Sequence, residues 1–539
     1  MIKKTFFCCV IFFYAFSVSA QKAMQYGLSS PAALLQVPKQ DKQRLLDEDE
    51  KNGKGRLRCA VLLPFYVAFP DDIVPEKIAD GTVWRVKIEA EDAEAINFYL
   101  EDFHLPKGAE LSFYTPDFEY KIPTITSVEN PANKIYVTDH IAGSSVIIEL
   151  FAREGVAVRH CFTIKDVGYM YRPLPRWMGG SRGFGHSENC EVNVNCPEGA
   201  AWKDEKNGVA RIISVVGKDA YYCSGSLINN ARYDKTPYFL TAGHCAENDK
   251  GGHSTEEDFQ KWKFYFNYEA PTCSNPSEDP DFYMTTGAEK LAITSYYSGE
   301  SDFLLLKLND EVASHSDLYY NGWNIAGTAA SSGVGIHHPA GDIKKISTYT
   351  KPLMDDRDTH WSVLWAQTET NWGVTEGGSS GSPIFDQNKY IVGTLSAGDA
   401  SCAFLAGEDI YGKMSYHWNK NGATPDKQLK IWLDPDNTGI TKLQGLGKEK
   451  PEPSEICVFP NPTRGELRIR NYESEITNYE LEITNVEVFD VMGRLCHVET
   501  RLIASLHENP INISHLSAGF YIIRITDDNG RKTHKIIKI

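Results

Sequence analysis

Apolar and polar residues alternate over short runs in the first third of the chain. The runs VWRVKIEA, AELSFYT and SSVIIELFA are separated by turn sequences such as PKG and NPAN. Alternation of this kind is typical of half-buried β-strands, and short strands separated by turns are typical of β-sandwiches. We therefore predict a β-sandwich domain over residues 21–182.

The same pattern continues through residues 183–445, for example in GVARIISVVG, PYFLTAG, DFLLLKL and KYIVGTLSAG. Helical periodicity is rare there and is clearest in TPDKQLKIWL. The stretch MYRPLPRWMGGSRG has no periodicity and predicts an exposed linker of the kind that proteases cut. Residues 183–445 are predicted to form a second β domain after this linker.

Residues 446–455 are a charged spacer that contains proline, and residues 456–539 alternate again. Predicted strands lie in CVFPNPTRGELRIR, NVEVFDVMGRL, LSAGFYIIRITD and THKIIKI. An apolar and basic strand at the end of a chain predicts that this end is docked or is itself a signal. The whole chain is predicted to be mainly β.

Residues 1–20 have the parts of a secretory signal peptide. Lys3 and Lys4 precede the apolar run TFFCCVIFFYAF, and small residues follow in SVSA. The apolar run is too short for a stable membrane span. The mature protein is predicted to be exported, and to be soluble or attached to a surface.

The amino-acid composition limits the classes of molecule that the protein is expected to bind. The 539 residues include 55 basic and 72 acidic side chains, a formal net charge of −17, which opposes binding to nucleic acid. Two of the twelve cysteines lie in the signal peptide, and an even number in an exported protein favours disulfides over metal sites. We predict no metal and no cofactor. Cys59 with Cys161, and Cys457 with Cys496, are plausible pairs that the sequence leaves open.

The stretch TEGGSSGSPIF places Ser379, Ser380 and Ser382 in one loop of small residues. A serine nucleophile needs a general base, and that base needs an orienting carboxylate. His244 follows an apolar strand in YFLTAGHCA, and Asp302 precedes another in GESDFLLLKL. The chain order His, Asp, Ser is that of the chymotrypsin arrangement.

These motifs resemble those of trypsin-type proteases, and alignment on Gly378, Gly381 and Pro383 makes Ser380 the nucleophile. CEVNVNCPEG, YYCSGSLINN, IHHPAGDIKK and DIYGKMS are similar to bacterial lysyl endopeptidases over roughly residues 183–445. The resemblance implies a trypsin-like double β-barrel with the site between the barrels. It also implies three disulfides, Cys190–Cys402, Cys196–Cys273 and Cys223–Cys245.

Site roles follow from the same resemblance. The backbone N–H groups of Gly378 and Ser380 would form the oxyanion hole. A short strand would pair with the substrate backbone through Ser396, Ala397 and Gly398. Asp409 would lie at the bottom of the pocket for a lysine side chain, with Glu408 and Asp399 as alternatives for the acid.

Other residues of this region receive structural interpretations. Animal-type enzymes carry an aspartate where this chain has Ser379, so activation by an ion pair with a new N-terminal amine is excluded. His337 and His338 are interpreted as shaping a loop. Core or cleft-wall positions are expected for three tryptophans, Trp361, Trp365 and Trp372.

Residues 21–182 resemble the propeptides of this protease family, which implies help in folding and a blocked cleft. No lysine lies between Lys165 and Lys203, whereas Arg176 and Arg182 lie in the linker. We therefore expect an Arg-cleaving protease to perform or complete maturation.

Residues 456–539 resemble the sorting domain of the type IX secretion system of Gram-negative bacteria, through VFPNPTRGELRI, VFDVMGRL, LSAGFYIIRI and KIIKI. The resemblance implies a β-sandwich that engages the secretion machinery and is then removed, with release or surface attachment of the product.

Two classes of function fit these features. The first is a secreted serine endopeptidase that cleaves proteins and peptides after lysine, with an Arg-specific or mixed protease as a narrower alternative. The second is a surface adhesin on a degenerate protease fold. An apparently complete set of His244, Asp302, Ser380 and Gly378 favours the enzyme.

Overall fold

The fold was analysed in a computed structural model, which describes residues 22–31, 33–52, 56–172, 186–277, 280–310, 312, 317–447, 456–459, 463–471, 483–499, 511–527 and 530–539. The predicted signal peptide, the linker arginines and the boundary at residue 183 lie outside these residues. The chain divides into two compact units, Met1–Leu446 and Gly447–Ile539.

The first part of the larger unit is a sandwich of two sheets. Its helices are α1 (Lys22–Gln25) and α2 (Lys42–Asn52), and its strands are β1 (Leu34–Gln36), β2 (Leu57–Phe69), β3 (Pro75–Ile78), β4 (Gly81–Glu89), β5 (Ala95–Glu101), β6 (Ala109–Tyr114), β7 (Tyr136–Val137), β8 (Ile141–Ala142), β9 (Ser145–Arg153) and β10 (Phe162–Met170). One sheet has the order β1-β4-β9-β6, and the other contains β2-β10-β5. Alternate residues of both sheets share one core, for example Ile88 and Ile148 with Phe98 and Val167.

The remaining strands of the larger unit form the region that holds the predicted site. They are β11 (Val209–Val216), β12 (Asp219–Leu227), β13 (Tyr238–Thr241), β14 (Lys263–Phe266), β15 (Tyr283–Thr286), β16 (Ala288–Ile293), β17 (Leu304–Leu308), β18 (Trp323–Asn324), β19 (Gly333–His337), β20 (Lys345–Tyr349), β21 (Met354–Asp356), β22 (His360–Val363), β23 (Pro383–Asp386), β24 (Ile391–Gly398), β25 (Asp409–Lys413) and β26 (Lys442–Leu443). Three single-turn helices accompany them, α3 (Glu256–Phe259), α4 (Met414–His417) and α5 (Lys430–Leu433). Strands β11 to β17 belong to one sheet and β18 to β26 to a second.

Strand β2 joins the two parts of this unit into one continuous sheet. It pairs antiparallel with β10 on one side and with β12 on the other. Register across β2 and β12 sets Leu57 opposite Tyr222 and Val61 opposite Asp219. The N-terminal sandwich therefore adds a strand to the edge of the first sheet of the predicted protease region.

The smaller unit contains two further sheets. Its strands are β27 (Ile456–Phe459), β28 (Glu466–Asn471), β29 (Ile483–Asp490), β30 (Leu495–Glu499), β31 (Ile511–Asn512), β32 (Gly519–Asp527) and β33 (Gly530–Lys538). Leu467 and Ile511 of one sheet pack with Val488, Ile523 and Ile536 of the other. The final strand, β33, pairs along its whole length with β32, so the chain end is docked.

The prediction that the chain is mainly β is confirmed. Helix α2 was not predicted, and TPDKQLKIWL forms only a 3₁₀ turn, Pro425–Lys427, followed by α5. Of the helices in the described residues, none has the length and apolar character needed to cross a membrane.

Candidate active site

Two adjacent strands bring His244 and Asp302 together. Strand β13 pairs antiparallel with β17, which sets Thr241 opposite Leu304. His244 lies in a 3₁₀ turn that begins at Gly243, directly after β13. A Cβ at Gly243 would lie 1.9 Å from the carbonyl oxygen of Thr294, so only glycine lets the turn approach the residues that precede β17.

His244 and the Asp302 carboxylate are joined by two hydrogen bonds, one from the imidazole and one from the backbone. His244 Nδ1 lies 2.8 Å from Asp302 Oδ2, and the His244 backbone N–H donates to Oδ1 at 2.9 Å. Asp302 is fully buried. Burial alone would raise its pKa, but the interactions with His244 lower the pKa below its ordinary value. An ionised Asp302 fixes the proton on Nδ1 and leaves Nε2 able to accept one.

Ser380 and His244 both line a cavity of about 730 Å³. The loop of Ser380 is held from the other sheet by Ser224, whose backbone N–H donates to the Ser380 carbonyl at 2.8 Å. The Ser224 hydroxyl donates to the Gly378 carbonyl at 2.9 Å. Strand β12, which contains Ser224, therefore positions the predicted nucleophile.

The backbone around Gly378, the residue predicted to contribute to the oxyanion hole, is held in a left-handed turn by neighbouring hydrogen bonds. Gly378 has a φ of +100°, and a Cβ there would lie 2.9 Å from the Gly341 nitrogen. The Gly377 carbonyl accepts from Ala340 N–H at 2.7 Å, and the Ser379 carbonyl accepts from Ser382 N–H at 3.0 Å. Because the C=O and N–H of a trans peptide point in opposite directions, the N–H groups of Gly378 and Ser380 are directed away from these acceptors.

Ser379 is held by a buried chain of hydrogen bonds. Its hydroxyl lies 2.8 Å from His337 Nδ1, and His337 Nε2 lies 2.8 Å from the Ser347 hydroxyl. Ser347 in turn donates to the Val374 carbonyl at 2.9 Å. Burial lowers the pKa of His337 to about 3, so the imidazole is neutral, accepts from Ser379 and donates to Ser347. Sequence analysis missed this role of His337, because nothing in the chain pattern links residue 337 to residue 379.

Asp409 lies fully buried beneath the wall of the same cavity. Its Oδ2 accepts from Trp365 Nε1 at 2.6 Å and from the Thr375 hydroxyl at 2.7 Å. Its Oδ1 accepts from Ala400 N–H at 3.3 Å and would lie 1.8 Å from a Cβ at Gly398. Thr375, Gly398 and Ala400 all line the cavity, so the carboxylate lies directly behind its surface.

The environment of Asp409 favours its neutral form. Burial raises its pKa to about 6, although the hydrogen bonds from Trp365 and Thr375 oppose the shift. At neutral pH the carboxylate is therefore ionised at a cost in free energy, which a cation in the cavity would offset.

The alternative acids have other partners. Asp399 Oδ1 accepts from the Glu408 backbone N–H at 2.8 Å, and the Glu408 carboxylate accepts from the Ser362 hydroxyl. Ser396, Ala397 and Gly398 form the end of β24 and line the cavity, as the substrate-binding prediction requires.

The other singled-out residues lie in or beside the core. Trp361 and Trp365 are buried, and Trp372 packs against the same hydrophobic cluster at partial exposure. His338 is buried and its Nδ1 lies 2.9 Å from the Asp342 carbonyl. Among the described side chains, no group of three His, Cys, Asp or Glu residues is placed to hold a metal ion.

The cysteines fall into two groups. Three disulfides are present, the same pairs that the resemblance implies: Cys190–Cys402, Cys196–Cys273 and Cys223–Cys245. Cys59 and Cys161 are buried free thiols and do not pair, and Cys496 is also free. The side chain of Cys457 lies outside what the structure describes.

Residues of the N-terminal sandwich cover the cleft. Leu46, Asp49 and Glu50 of α2 line the cavity together with Arg56 at the start of the β2 segment. Asp49 accepts from Arg58 Nε at 2.8 Å and from Arg172 Nη2 at 2.7 Å, which fixes α2 beside the cleft. These residues therefore narrow the approach to Ser380 from this side.

Comparison with known proteins agrees with the two resemblances. Residues 184–412 match the family model of the lysyl endopeptidase C-terminal domain, and residues 457–539 match that of the secretion system C-terminal sorting domain. A lysyl endopeptidase of Pseudomonas aeruginosa is 28% identical over 293 residues, which are 53% of this chain and 58% of that protein. The secreted RxLR effector protein 73 of Plasmopara viticola is 23% identical over 274 residues, 49% of this chain and 65% of that protein.

The chain thus matches less than two thirds of the length of either relative. A solved structure of the thermostable serine protease AL20 from an extremophilic microorganism is 15% identical, with a TM-score of 0.28, and covers 39% of this chain and 92% of that one. The chain combines a region that matches lysyl endopeptidase C-terminal domains, residues 184–412, with one that matches secretion system C-terminal sorting domains, residues 457–539.

Proposed function

We propose that this protein is the precursor of a secreted serine endopeptidase that hydrolyses peptide bonds on the carboxyl side of lysine. The observation that supports this most directly is the doubly hydrogen-bonded His244 and Asp302 beside Ser380, over a cavity backed by Asp409. The signal-type N-terminus and the matched sorting domain support export to the outside of a Gram-negative cell.

The proposed mechanism gives these residues the roles that the resemblance implies. Ser380 attacks the carbonyl carbon while His244 Nε2 takes its proton, and the Gly378 and Ser380 N–H groups stabilise the oxyanion. His244 then gives the proton to the leaving amine, and a water molecule hydrolyses the acyl-enzyme by the same steps. Asp302 stabilises the imidazolium in both halves.

Preference for lysine over arginine is supported by the oxygens of Asp409. Oδ2 already accepts from two donors, Trp365 and Thr375, whereas Oδ1 accepts only a long hydrogen bond from Ala400 N–H at 3.3 Å and can accept a further one from a substrate cation. A guanidinium binds a carboxylate best through two parallel hydrogen bonds to two oxygens, whereas an ammonium is a point charge that one oxygen satisfies. This arrangement favours an ammonium.

Matched peptides that differ only in Lys or Arg before the scissile bond test the proposal. The processed enzyme should cleave after lysine; Ser380→Ala should abolish cleavage, and Asp409→Asn should reduce it by about a hundredfold or more, since removing one partner of a buried ion pair costs about 3–5 kcal/mol. Equal cleavage of both peptides would leave a serine protease of mixed specificity. An inert, correctly processed wild type would instead favour the adhesin.

A further inference from the structure

A second, smaller cavity lies next to the cleft and is also lined by His244 and Ser380. Its other walls include Tyr221, Tyr222 and the disulfide cysteines Cys223 and Cys245. The larger cavity is lined by residues 395–401, where the acyl half of a substrate is expected, and the smaller one is not, so we assign the smaller cavity to the leaving-group side of the nucleophile. A leaving amine must depart on that side, over the imidazole that protonates it.

The side chain of Arg56 lines the smaller cavity and lies beside two acidic side chains, Glu247 and Asp249. Its Nη2 lies 2.9 Å from Glu247 Oε2, and its Nη1 lies 4.0 Å from Asp249 Oδ1. Glu247 is about nine-tenths buried, and its other oxygen accepts from the Ser295 hydroxyl at 3.2 Å. The carboxylate is therefore held in place independently of the arginine, which makes this a built site for a cation.

The backbone that carries Arg56 is bound as an extended strand. Leu57, the next residue, is paired antiparallel with Tyr222 at the edge of β12. An extended peptide that adds to a sheet edge takes its affinity from backbone hydrogen bonds and its specificity from side-chain pockets. Residues 56 and 57 therefore occupy the position that we expect for the substrate residues after the scissile bond.

We propose that Glu247 and Asp249 form a subsite for a basic side chain in one of the first two positions after the scissile bond, with the edge of β12 binding the substrate backbone there. This inference rests on the proposed function and on removal of the N-terminal sandwich, since β2 occupies the same edge. In the precursor, Arg56 and Leu57 fill the subsite.

With this subsite, the enzyme would prefer basic substrate side chains on both sides of the cleaved bond. Asp409 would bind the lysine of the acyl half, and Glu247 would bind a lysine or arginine that follows it. Paired basic residues in exposed, extended segments are then the preferred cleavage sites. Because Glu247 is mostly buried, its pairing is less screened by salt than an exposed ion pair would be.

The test uses quenched fluorescent peptides with a fixed lysine and with Arg, norleucine or Glu at the first or second following position. Mass spectrometry of the products identifies the cleaved bond. The processed enzyme should show a kcat/KM about five- to twentyfold higher for Arg than for norleucine at one of these positions, the range expected for a partly buried, charge-assisted pair. Glu should be the poorest substrate.

The variants Glu247→Gln and Asp249→Asn should bring the Arg-to-norleucine ratio toward one, whereas Glu289→Gln, an exposed acid on β16, should keep the wild-type ratio. Because each ratio is measured within one enzyme, a partly misfolded variant lowers both rates and leaves the ratio interpretable. Equal rates for Arg, norleucine and Glu at both positions in the wild type would overturn the subsite.

A lysine p-nitroanilide separates this result from failure of the proposed function, because that substrate has no residue after the scissile bond. Hydrolysis of the anilide with no preference among the peptides overturns the subsite alone. Failure to hydrolyse the anilide or any of the peptides overturns the proposed function itself.

Discussion

At the scale of single residues, Asp409 combines a cost in stability with a gain in binding. Burial raises its pKa from 3.8 to about 6, which corresponds to roughly 3 kcal/mol. A carboxyl whose pKa is raised in the folded state binds protons more tightly there, so stability falls as pH rises from about 4 through about 6. Ionisation of Asp409 at neutral pH therefore lowers the stability of the fold.

Asp409→Asn should consequently stabilise the processed enzyme while it weakens cleavage after lysine. The amide keeps an oxygen to accept from Trp365 and Thr375 and never ionises. Its Tm should exceed that of the wild type by more at pH 8 than at pH 4.5, as measured by calorimetry. An unchanged or lower Tm at pH 8 would contradict the buried-charge argument.

Inhibition by a simple alkylamine provides a second test of Asp409, because it requires no chemistry at His244. The inhibition constant should fall as pH rises through about 6 and then level off, since the carboxylate is ionised above that value. In Asp409→Asn the constant should be high and nearly independent of pH. A wild-type constant that is flat from pH 4.5 to 8 would show that the amine binds elsewhere.

His337 should act as a positioning residue for the nucleophile loop. Replacing it with phenylalanine removes both hydrogen bonds and leaves the Ser379 hydroxyl held only by Glu376 N–H at 3.2 Å, so kcat should fall by about tenfold to a hundredfold with little change in KM. His337→Gln, whose amide can accept from one serine and donate to the other, should recover part of kcat. Equal losses in kcat for the two variants would indicate a packing role only.

The sequence predicted these residues unevenly. Nucleophile, base and acid stand in short motifs whose local backbone is visible in the chain, so His244, Asp302 and Ser380 could be proposed together. The contacts of Asp409 with Trp365 and Thr375, and of Ser379 with His337, join strands that are distant in sequence. Neither spacing nor periodicity reports such contacts, and one sequence contains no record of covariation.

At the scale of elements, the pairing of β24 with β25 decides how Asp409 reaches the cleft. Gly398 at the end of β24 is opposite Asp409, and the position of the glycine Cα leaves no room for a methyl group, which would lie 1.8 Å from Oδ1. The proposed lysine pocket therefore depends on glycine at the strand end as much as on the acid behind it.

Gly398→Ala should displace the carboxylate or the strand and reduce kcat/KM for a lysine substrate by about a hundredfold, a loss similar to that of the ion pair. Gly422→Ala, whose added methyl group would meet only the Lys427 side chain at 3.1 Å, serves as the control and should retain most of the activity. Steady-state kinetics on a lysine p-nitroanilide measure both. Near-wild-type activity of Gly398→Ala would show that the pocket does not depend on this contact.

The sequence pattern predicted some secondary-structure elements and missed others. The alternating runs VWRVKIEA and SSVIIELFA coincide with strands β4 and β9, although most residues of both strands are buried. Helix α2, KQRLLDEDEKN, is mostly charged, and its few apolar residues give a weak helical pattern. The pairing of β2 with β12 could not be predicted from the sequence either, because the residues of an edge strand do not indicate which strand will pair with its free edge.

At the scale of the whole larger unit, charged groups are buried where the N-terminal sandwich meets the first sheet of the protease region. Lys263 is fully buried and donates to the Thr138 carbonyl at 3.1 Å, and Tyr265 donates to Asp139 at 2.8 Å. Arg211 lies over the Tyr265 ring at 4.2 Å, with His140 nearby. Removing the sandwich would return these groups to water.

Acid should therefore favour release of the sandwich after the linker is cut. Burial lowers the pKa of Lys263 to about 7 and that of His140 to about 4, in each case with a contribution from neighbouring cations. Both groups bind more protons once separated, so association should weaken as pH falls from about 10 to 7, and again from about 6.5 to 4.

Gel filtration of the cut protein at pH 9, 7 and 5 measures the bound fraction without using activity. Lys263→Met should flatten the dependence between pH 9 and 7, while Lys290→Met, which removes a partly exposed lysine paired with Glu256, should leave it intact. A bound fraction that rises on acidification would contradict this prediction. It would show that groups other than Lys263 and His140 determine the pH dependence of the association.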